Sequence, residues 1–467
     1  MKYDAIIIGA GMSGIGAGIR LAMFDKKVLI LEKHSIPGGL NSYYQRRNFD
    51  KGGLRLFDVG LHALTNYIPK GTKGKPLTKL LKQLRISYDD LKLRTHSYSV
   101  ISFPDKKLKF TNDFQDFKVE VKKNFPDHFA EFEELVRKVD EFNDLDLSHN
   151  YSSARKVLRE TITNPDLIEM LMCPTLIYGS AWENDIDFTQ FVTMFKGIFY
   201  EGFCRPEGGV RTLIKLMMDK FSSHGGEVKF KSGVTEIISE NGKAMGVKVG
   251  ETEYFAPLIF SSIGLPETYR LNNELKELVS PAVGQMTFVE SLFVFDKKIP
   301  LSINDSTIIF HNDWEKYKFE RSKGIFDPRS AVICFPDNFE PENREGEGTV
   351  RITYISNYQE WKKLSPEEYT QEKEKIAQSA LALVKRYTAG FDGKLLFQDT
   401  FTPLTIEKFT SHIAGTIYGS TDKFRDGKTP VDSLYIIGTD QGYLGIVGAI
   451  MSGISLANLY GLMDANS

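Results

Sequence analysis

Apolar and polar positions change their period several times along the chain. Ala5–Ile8 is apolar with no polar side, as strands buried on both faces are. Ile15, Ile19 and Ala22 then recur at helical spacing, and Val28–Leu31 is apolar throughout. Strand, tight turn, helix and strand within residues 3–33 predict a βαβ unit. Over 70–85, Leu77, Leu80, Leu81 and Leu84 fall at i, i+3, i+4 and i+7, the stripe of an amphipathic helix. Phe129, Phe132, Leu135 and Val139 mark a second one within 127–145, and 151–200 reads as helical and aromatic-rich. Residues 227–260 alternate as strands do. ESLFVF, STIIF, AVICF and TVRITYI predict further strands between 285 and 355. Residues 364–388 predict one long helix, with Ser365 as cap and Pro366 in the first turn. The chain closes on a strand, a loop and an apolar helix over 433–463.

Charge changes this picture locally. The 467 residues carry 59 basic and 61 acidic side chains, a net of −2, which argues against a general nucleic-acid binder. Yet residues 70–123 hold 14 basic and 6 acidic residues, and 70–85 hold six basic and no acidic ones. A basic amphipathic helix there has two readings, a solvated face or peripheral contact with an anionic bilayer. Residues 441–463 are uncharged for 23 positions, long enough to span a membrane. Glycines at 442, 445, 448, 453 and 461 punctuate that stretch and favour a buried core helix. Cys173, Cys204 and Cys334 form no CxxC, so neither a disulfide framework nor a zinc site is expected, and no metal ligand set emerges from the histidines. A reducing, cytoplasmic setting without a cleaved signal is the expectation. The 33 Phe and 20 Tyr suggest that something large and apolar is packed or bound.

The strongest chemical signal is Gly9-Ala10-Gly11-Met12-Ser13-Gly14, between strand and helix, with Glu32 ending the next strand. Gly9 suits the tight turn, Gly11 lets backbone approach a pyrophosphate, and Gly14 lets helix and strand pack closely. The helix start at Met12 and Ser13 offers free N–H groups to phosphate. Glu32, followed by Lys33, would accept from ribose hydroxyls. Gly38-Gly39-Leu40 follows the second strand, where backbone can again pass close to a ligand.

Taken with Phe57-Asp58-Val59-Gly60-Leu61-His62 and Ile437-Gly438-Thr439-Asp440, these motifs resemble FAD enzymes of the glutathione-reductase and amine-oxidase type. The order continues through Gly208-Gly209, His224-Gly225-Gly226-Glu227-Val228, Val234, Thr402-Pro403-Leu404-Thr405 and Gly415-Thr416-Ile417-Tyr418-Gly419. In that order the chain resembles, over nearly its whole length, the phytoene desaturase, carotenoid isomerase and retinol saturase family. Leu40-Asn41 stands where amine oxidases and many phytoene desaturases carry Arg, which moves the reading toward the isomerase and saturase branch.

The resemblance implies an α/β fold, a glutathione-reductase-type Rossmann domain interleaved with an α+β substrate domain. Expected boundaries are 1–69, 200–284 and 396–467 for the FAD domain, with 70–199 and 285–395 building the substrate or membrane-facing domain. It implies non-covalent FAD held by Gly9, Gly11, Met12, Ser13, Gly14, Glu32, Lys33, Gly38, Gly39, Leu40, Gly60, Leu61, His62, Val234, Gly438, Asp440, Ile446, Val447 and Ala449. NAD(P)H or a quinone would serve as transient electron partner. Hydride exchange at flavin N5 with a long apolar polyene or lipid is the implied reaction. Two rivals are a flavin amine oxidase and a non-catalytic lipid escort of the GDP-dissociation-inhibitor type. Candidates for proton or substrate chemistry are His62, His412, Tyr200 and Glu201.

Overall fold

A computed structural model describes residues 2–49, 51–60, 62–144, 146 and 149–463. Its first layer is a five-stranded parallel sheet in the order Leu434–Ile436, Ile259–Ser261, Ala5–Ile8, Val28–Leu31, Glu227–Lys229. The strands arrive from the start, middle and end of the chain, so the sheet closes only when both termini are in place. Both faces are covered, which is why its strands are apolar throughout. Ile6, Ile8, Leu29 and Leu31 pack into one cluster, and Ala5, Ile7, Val28 and Ile30 into another.

Helix Met12–Ala22 lies on this sheet, and helix Gly445–Leu456 lies on that helix. The two approach closely because their contact positions lack side chains. A Cβ on Gly16 would stand 2.9 Å from the Ile450 carbonyl oxygen, and one on Gly453 would stand 2.0 Å from that of Ser13. Residues Gly445–Leu462 are long and apolar enough to cross a membrane. In the fold, Ile446, Val447, Ile450, Ile454 and Leu456 are spent on the first helix and its surroundings.

The second layer is a seven-stranded sheet, Leu395–Phe401, Thr287–Phe295, Gly348–Ser356, Phe326–Cys334, Ile308–Asn312, Ser99–Ser102, Lys107–Phe110. All pairings are antiparallel except Ile308–Asn312 with Ser99–Ser102. One face, with Val289, Phe293, Ile352 and Tyr354, packs on the long helix Pro366–Tyr387. That helix begins at the expected cap, Ser365, which forms a capping box, Ser365 accepting from Glu368 N and Glu368 accepting from Ser365 N. The other face, with Glu290, Leu292, Val294, Arg351 and Thr353, turns toward the dinucleotide layer, where Leu292 and Val294 pack on Phe57.

Two expected boundaries move. The basic helix, found at Pro76–Leu84, buries all four leucines in the core shared with Met12–Ala22 and Gly445–Leu456. It therefore belongs with the first layer, not with a membrane-facing domain, and has no apolar face left to offer a bilayer. Strand Leu395–Phe401 belongs to the second sheet, so the return to the dinucleotide layer comes after 401 rather than at 396.

The aromatic surplus also finds its place. Helices Phe114–Asn124, Phe129–Glu141, Ala154–Thr161, Pro165–Gly179 and Phe188–Phe195 pack around Phe110, Phe117, Phe132, Phe191, Phe195 and Phe199, all fully buried. Phe117 stacks on Phe199 with centroids 4.3 Å apart. Much of the phenylalanine thus forms a solid helical core.

Candidate functional site

The loop after the first strand is built as its glycines require. Gly9 has φ +93°, open to glycine at little cost. A Cβ on Gly14 would lie 2.2 Å from the Gly9 carbonyl oxygen, so the helix can pass over the turn only without one. Gly11 caps the helix without a side-chain partner, leaving the amides of Met12 and Ser13 to a ligand. Gly38 (φ +112°) donates its N–H to Ala10 O, and a Cβ on Gly39 would touch the Gly11 Cα at 3.4 Å. The two glycine turns are thereby stacked.

Glu32 braces this arrangement. One carboxylate oxygen accepts from Ala10 N and the other from His34 N, each at 2.7 Å. A carboxylate has about four acceptor directions, so two remain for ribose hydroxyls. Glu32, Lys33, Leu40 and Val234 line a cavity of about 790 Å³ with Gly9, Gly11 and Gly39. Its far wall comes from the second sheet and the hairpin before it, including Tyr44, Asp399 and Phe401. The residues present fit a dinucleotide: a glycine cradle with unpartnered helix amides, an acid with spare lone pairs, and an apolar wall.

Gly60 (φ +66°) sits against Leu40, where a Cβ would stand 2.4 Å from the Leu40 carbonyl oxygen. Leu61 lies outside the described residues. Asp58, just before them, is clamped between Arg205 and Arg211, and Arg205 donates to His62 O at 3.1 Å.

Other expected ligands also brace the loops around them. Gly438 (φ +96°) is wedged against Ser13 Oγ and donates to Ser452 Oγ at 2.6 Å. Asp440 is buried and accepts from Leu265 N at 2.6 Å and Ser420 N at 2.7 Å, with Lys423 Nζ at 3.4 Å. It ties three loops together with its own oxygens. Ile446 and Val447 lie in the first turn of their helix, whose backbone amides are free, whereas Ala449 lies past the free amides. All three side chains pack inward.

The four chemical candidates separate. His412 lines the cavity at its nucleotide end, 3.7 Å from Glu267. Burial would lower its pKa, but the Glu267 carboxylate outweighs that and raises it. Tyr200 packs against Phe114 in the helical core, the rings tilted with centroids 4.3 Å apart, away from the cavity lining. Glu201 is buried and accepts from Asn66 Nδ2 at 2.9 Å. Burial raises its pKa against the pull of Asn66 and Lys75.

His62 sits in a cluster that the sequence did not suggest. Its Nε2 lies 3.1 Å from Glu290 Oε2 and 3.0 Å from Thr353 Oγ1. Thr353 donates to the same Glu290 oxygen at 2.7 Å, while Arg351 Nε donates to Oε1 at 2.7 Å. Burial pushes the Glu290 carboxyl up, but Arg351, His62 and Thr353 together hold it down at about 2. Burial lowers the His62 pKa, against the Glu290 pull. A neutral His62 thus keeps its proton on Nε2, toward the carboxylate, and presents Nδ1 as an acceptor. Glu290 stands opposite Phe401 in the sheet, and Phe401 lines the cavity. The only sequence signal for this cluster was a lone charge inside each of two apolar strands, TFVESLFVF and GTVRITYIS.

Residues 12–459 match the model of the flavin containing amine oxidoreductase family. The prolycopene isomerase of Arabidopsis thaliana is 24% identical, across 98% of this chain and 82% of that protein. The all-trans-retinol 13,14-reductase of Danio rerio is 23% identical, across 98% and 85%. The solved structure of an oxidoreductase from Methanosarcina mazei has the same fold, with TM-score 0.66 and 16% identity over 98% of this chain and 99% of that one. With the family model matched over nearly its whole length, this chain belongs to the flavin containing amine oxidoreductase family.

Proposed function

We propose that the protein binds FAD non-covalently and acts on carbon–carbon bonds of a long apolar polyene or lipid. The observation that carries this reading is a dinucleotide cradle opening into one cavity with the second sheet, where the lining residue Phe401 stands opposite Glu290 of a buried His–Glu couple. The substrate class is supported by the names of the two relatives, an isomerase of prolycopene and a reductase of all-trans-retinol. Saturation, desaturation and isomerisation are three outcomes of one hydride exchange. A transient NAD(P)H or a quinone would set the electron balance.

When bound, the flavin supplies hydride exchange at N5. Gly9, Gly11 and the amides of Met12 and Ser13 would hold its phosphates, Glu32 its ribose, and Val234 its adenine. Gly39, Leu40, Gly60 and the first turn of Gly445–Leu456 would take the ring end. The rest of the chemistry is the movement of a proton. Glu290 fixes the His62 tautomer by accepting from Nε2, so Nδ1 can take a proton from a substrate carbon and return it. Thr353 holds the same carboxylate oxygen and keeps the ring from turning. Arg351 keeps Glu290 ionised inside a dry sheet.

The test is to purify the protein and record its visible spectrum. Prolycopene and all-trans-retinol are then incubated anaerobically with the oxidised and the reduced forms. A flavin spectrum and an altered polyene are expected. A colourless protein that gains no flavin on adding FAD would overturn the reading. So would turnover of primary amines with peroxide release and no change in either polyene.

A further inference from the structure

The proposed substrate does not dissolve, so the protein must meet it on a surface. The sequence points to the basic helix, whose leucines are buried in the dinucleotide core. The exposed apolar residues are elsewhere. Strands Tyr43–Arg47 and Leu54–Asp58 form a hairpin whose two faces differ sharply. Phe57 is buried and Tyr44 largely so, against Leu292, Val294 and Phe397, with the Phe57 and Phe397 rings stacked at 5.5 Å. This rivets the hairpin to the second sheet. On the opposite face Leu54 and Leu56 are 58% and 47% exposed, and Phe49 at the tip is 84% exposed. Three large apolar side chains are thus exposed between positions 49 and 56 of one hairpin.

The apolar tip is continuous with the cavity. Leu56 stands opposite Gln45 in the hairpin, and Tyr43, Tyr44, Gln45 and Arg46 line the cavity wall. Its charge is complementary to an anionic surface. Arg46, Arg47 and Lys51 are exposed here, with Glu347 and Asp399 as the acids that face them. Glu347 is taken up by a two-pronged contact with Arg55, and Asp399 by Arg46 at 3.0 Å. Arg47, opposite Leu54, is exposed beside the Phe49 ring at 5.6 Å. An apolar tip with exposed cations on its flank is the composition that inserts between anionic headgroups.

We propose that the 43–58 hairpin docks the protein on an anionic lipid bilayer with the cavity mouth turned toward the acyl chains. The inference rests on the apolar substrate proposed above, but its test does not use turnover. The flavin-loaded full-length protein is sedimented with vesicles of phosphatidylcholine, with and without phosphatidylglycerol. The triple variant Phe49→Ser, Leu54→Ser, Leu56→Ser is compared with Lys79→Glu, Lys82→Glu on the basic helix, flavin absorbance serving as the check on folding. Support would be binding that phosphatidylglycerol strengthens and that the hairpin variant weakens at least about tenfold, while the helix variant loses less. Equal binding of the hairpin variant and the unaltered protein would overturn the proposal. So would a dimer of the unaltered protein that the hairpin variant dissolves while vesicle binding persists. Vesicle binding through the hairpin without polyene conversion would refute the proposed reaction and leave the docking surface standing.

Discussion

Glu290 has no solvent to share its charge with, and its partners decide its state. Ordinarily near 4.5, it is held at about 2 in the fold, so its contribution to stability is fully present above pH 4.5 and is lost as pH falls toward 2. His62 behaves differently. Its pKa lies below the ordinary 6.5 in the fold, so the unfolded chain takes up its proton first and stability declines as pH drops below about 6.5. Glu290→Gln should remove the one group that raises the His62 pKa. The acid limb of the pH–rate profile should then move to lower pH while the rate itself falls. Because Arg351 is left buried without its carboxylate, urea unfolding should register a loss of about 3–5 kcal/mol. Adding Arg351→Met should recover most of that stability and, since the Arg351 cation also lowers the His62 pKa, part of the pH shift, but not the lost rate, which separates a positioning role from a structural one. Glu32→Ala, at the other end of the cavity, should weaken flavin retention by about 1.5–3 kcal/mol for each charge-assisted hydrogen bond lost. It would also release Ala10 and His34, so equilibrium dialysis of FAD should respond more than thermal unfolding does. Glu32 was legible because strand, turn and acid keep a fixed spacing. Glu290 and Arg351 were not, since nothing local in a strand says which long-range partner will neutralise a buried charge.

At the level of elements, the crossing of Met12–Ala22 with Gly445–Leu456 carries the phosphate end of the site. The first helix presents its amides in the right place only if the last helix can press against it. Gly453→Ala would put a methyl 2.0 Å from the Ser13 carbonyl oxygen, whereas Gly448→Ala would meet Tyr443 at an ordinary 3.5 Å. Gly453→Ala should therefore cost about 1–3 kcal/mol in denaturant unfolding and release flavin. Gly448→Ala should be neutral or gain up to about 1 kcal/mol from helix propensity. Equal effects of the two would show that close packing is not what holds the helices. Elements were the best-read scale of this chain. The helix expected over 364–388 runs Pro366–Tyr387 with its capping box, and the leucine stripe over 70–85 is the helix Pro76–Leu84. Periodicity fixes which face is apolar, but not what covers it. The same leucines that read as a membrane-seeking face are roofed by two helices, one of them more than 350 residues away in sequence.

At the scale of the molecule, the cavity lies between two sheets that each need distant parts of the chain. The edge strand Leu434–Ile436 and helix Gly445–Leu456 complete the dinucleotide layer from the C-terminal end. A chain truncated before 430 lacks both and leaves Ile259–Ser261 an unpaired edge. It should be insoluble or free of flavin, although it keeps the whole Gly9–Gly14 motif. A ligand that binds between the two layers stabilises both at once. At a hundred times its dissociation constant, FAD should add about 2.7 kcal/mol to unfolding. Because the wall of the cavity opposite the cradle belongs to the second sheet, that gain should appear as one cooperative transition moving up in temperature. Calorimetry of the flavin-stripped and reloaded protein distinguishes this from a shift confined to a dinucleotide-domain transition. A confined shift would mean that Tyr44, Asp399 and Phe401 border the cavity without sharing in the binding. It would also leave the second sheet free to act as a separate substrate-binding unit.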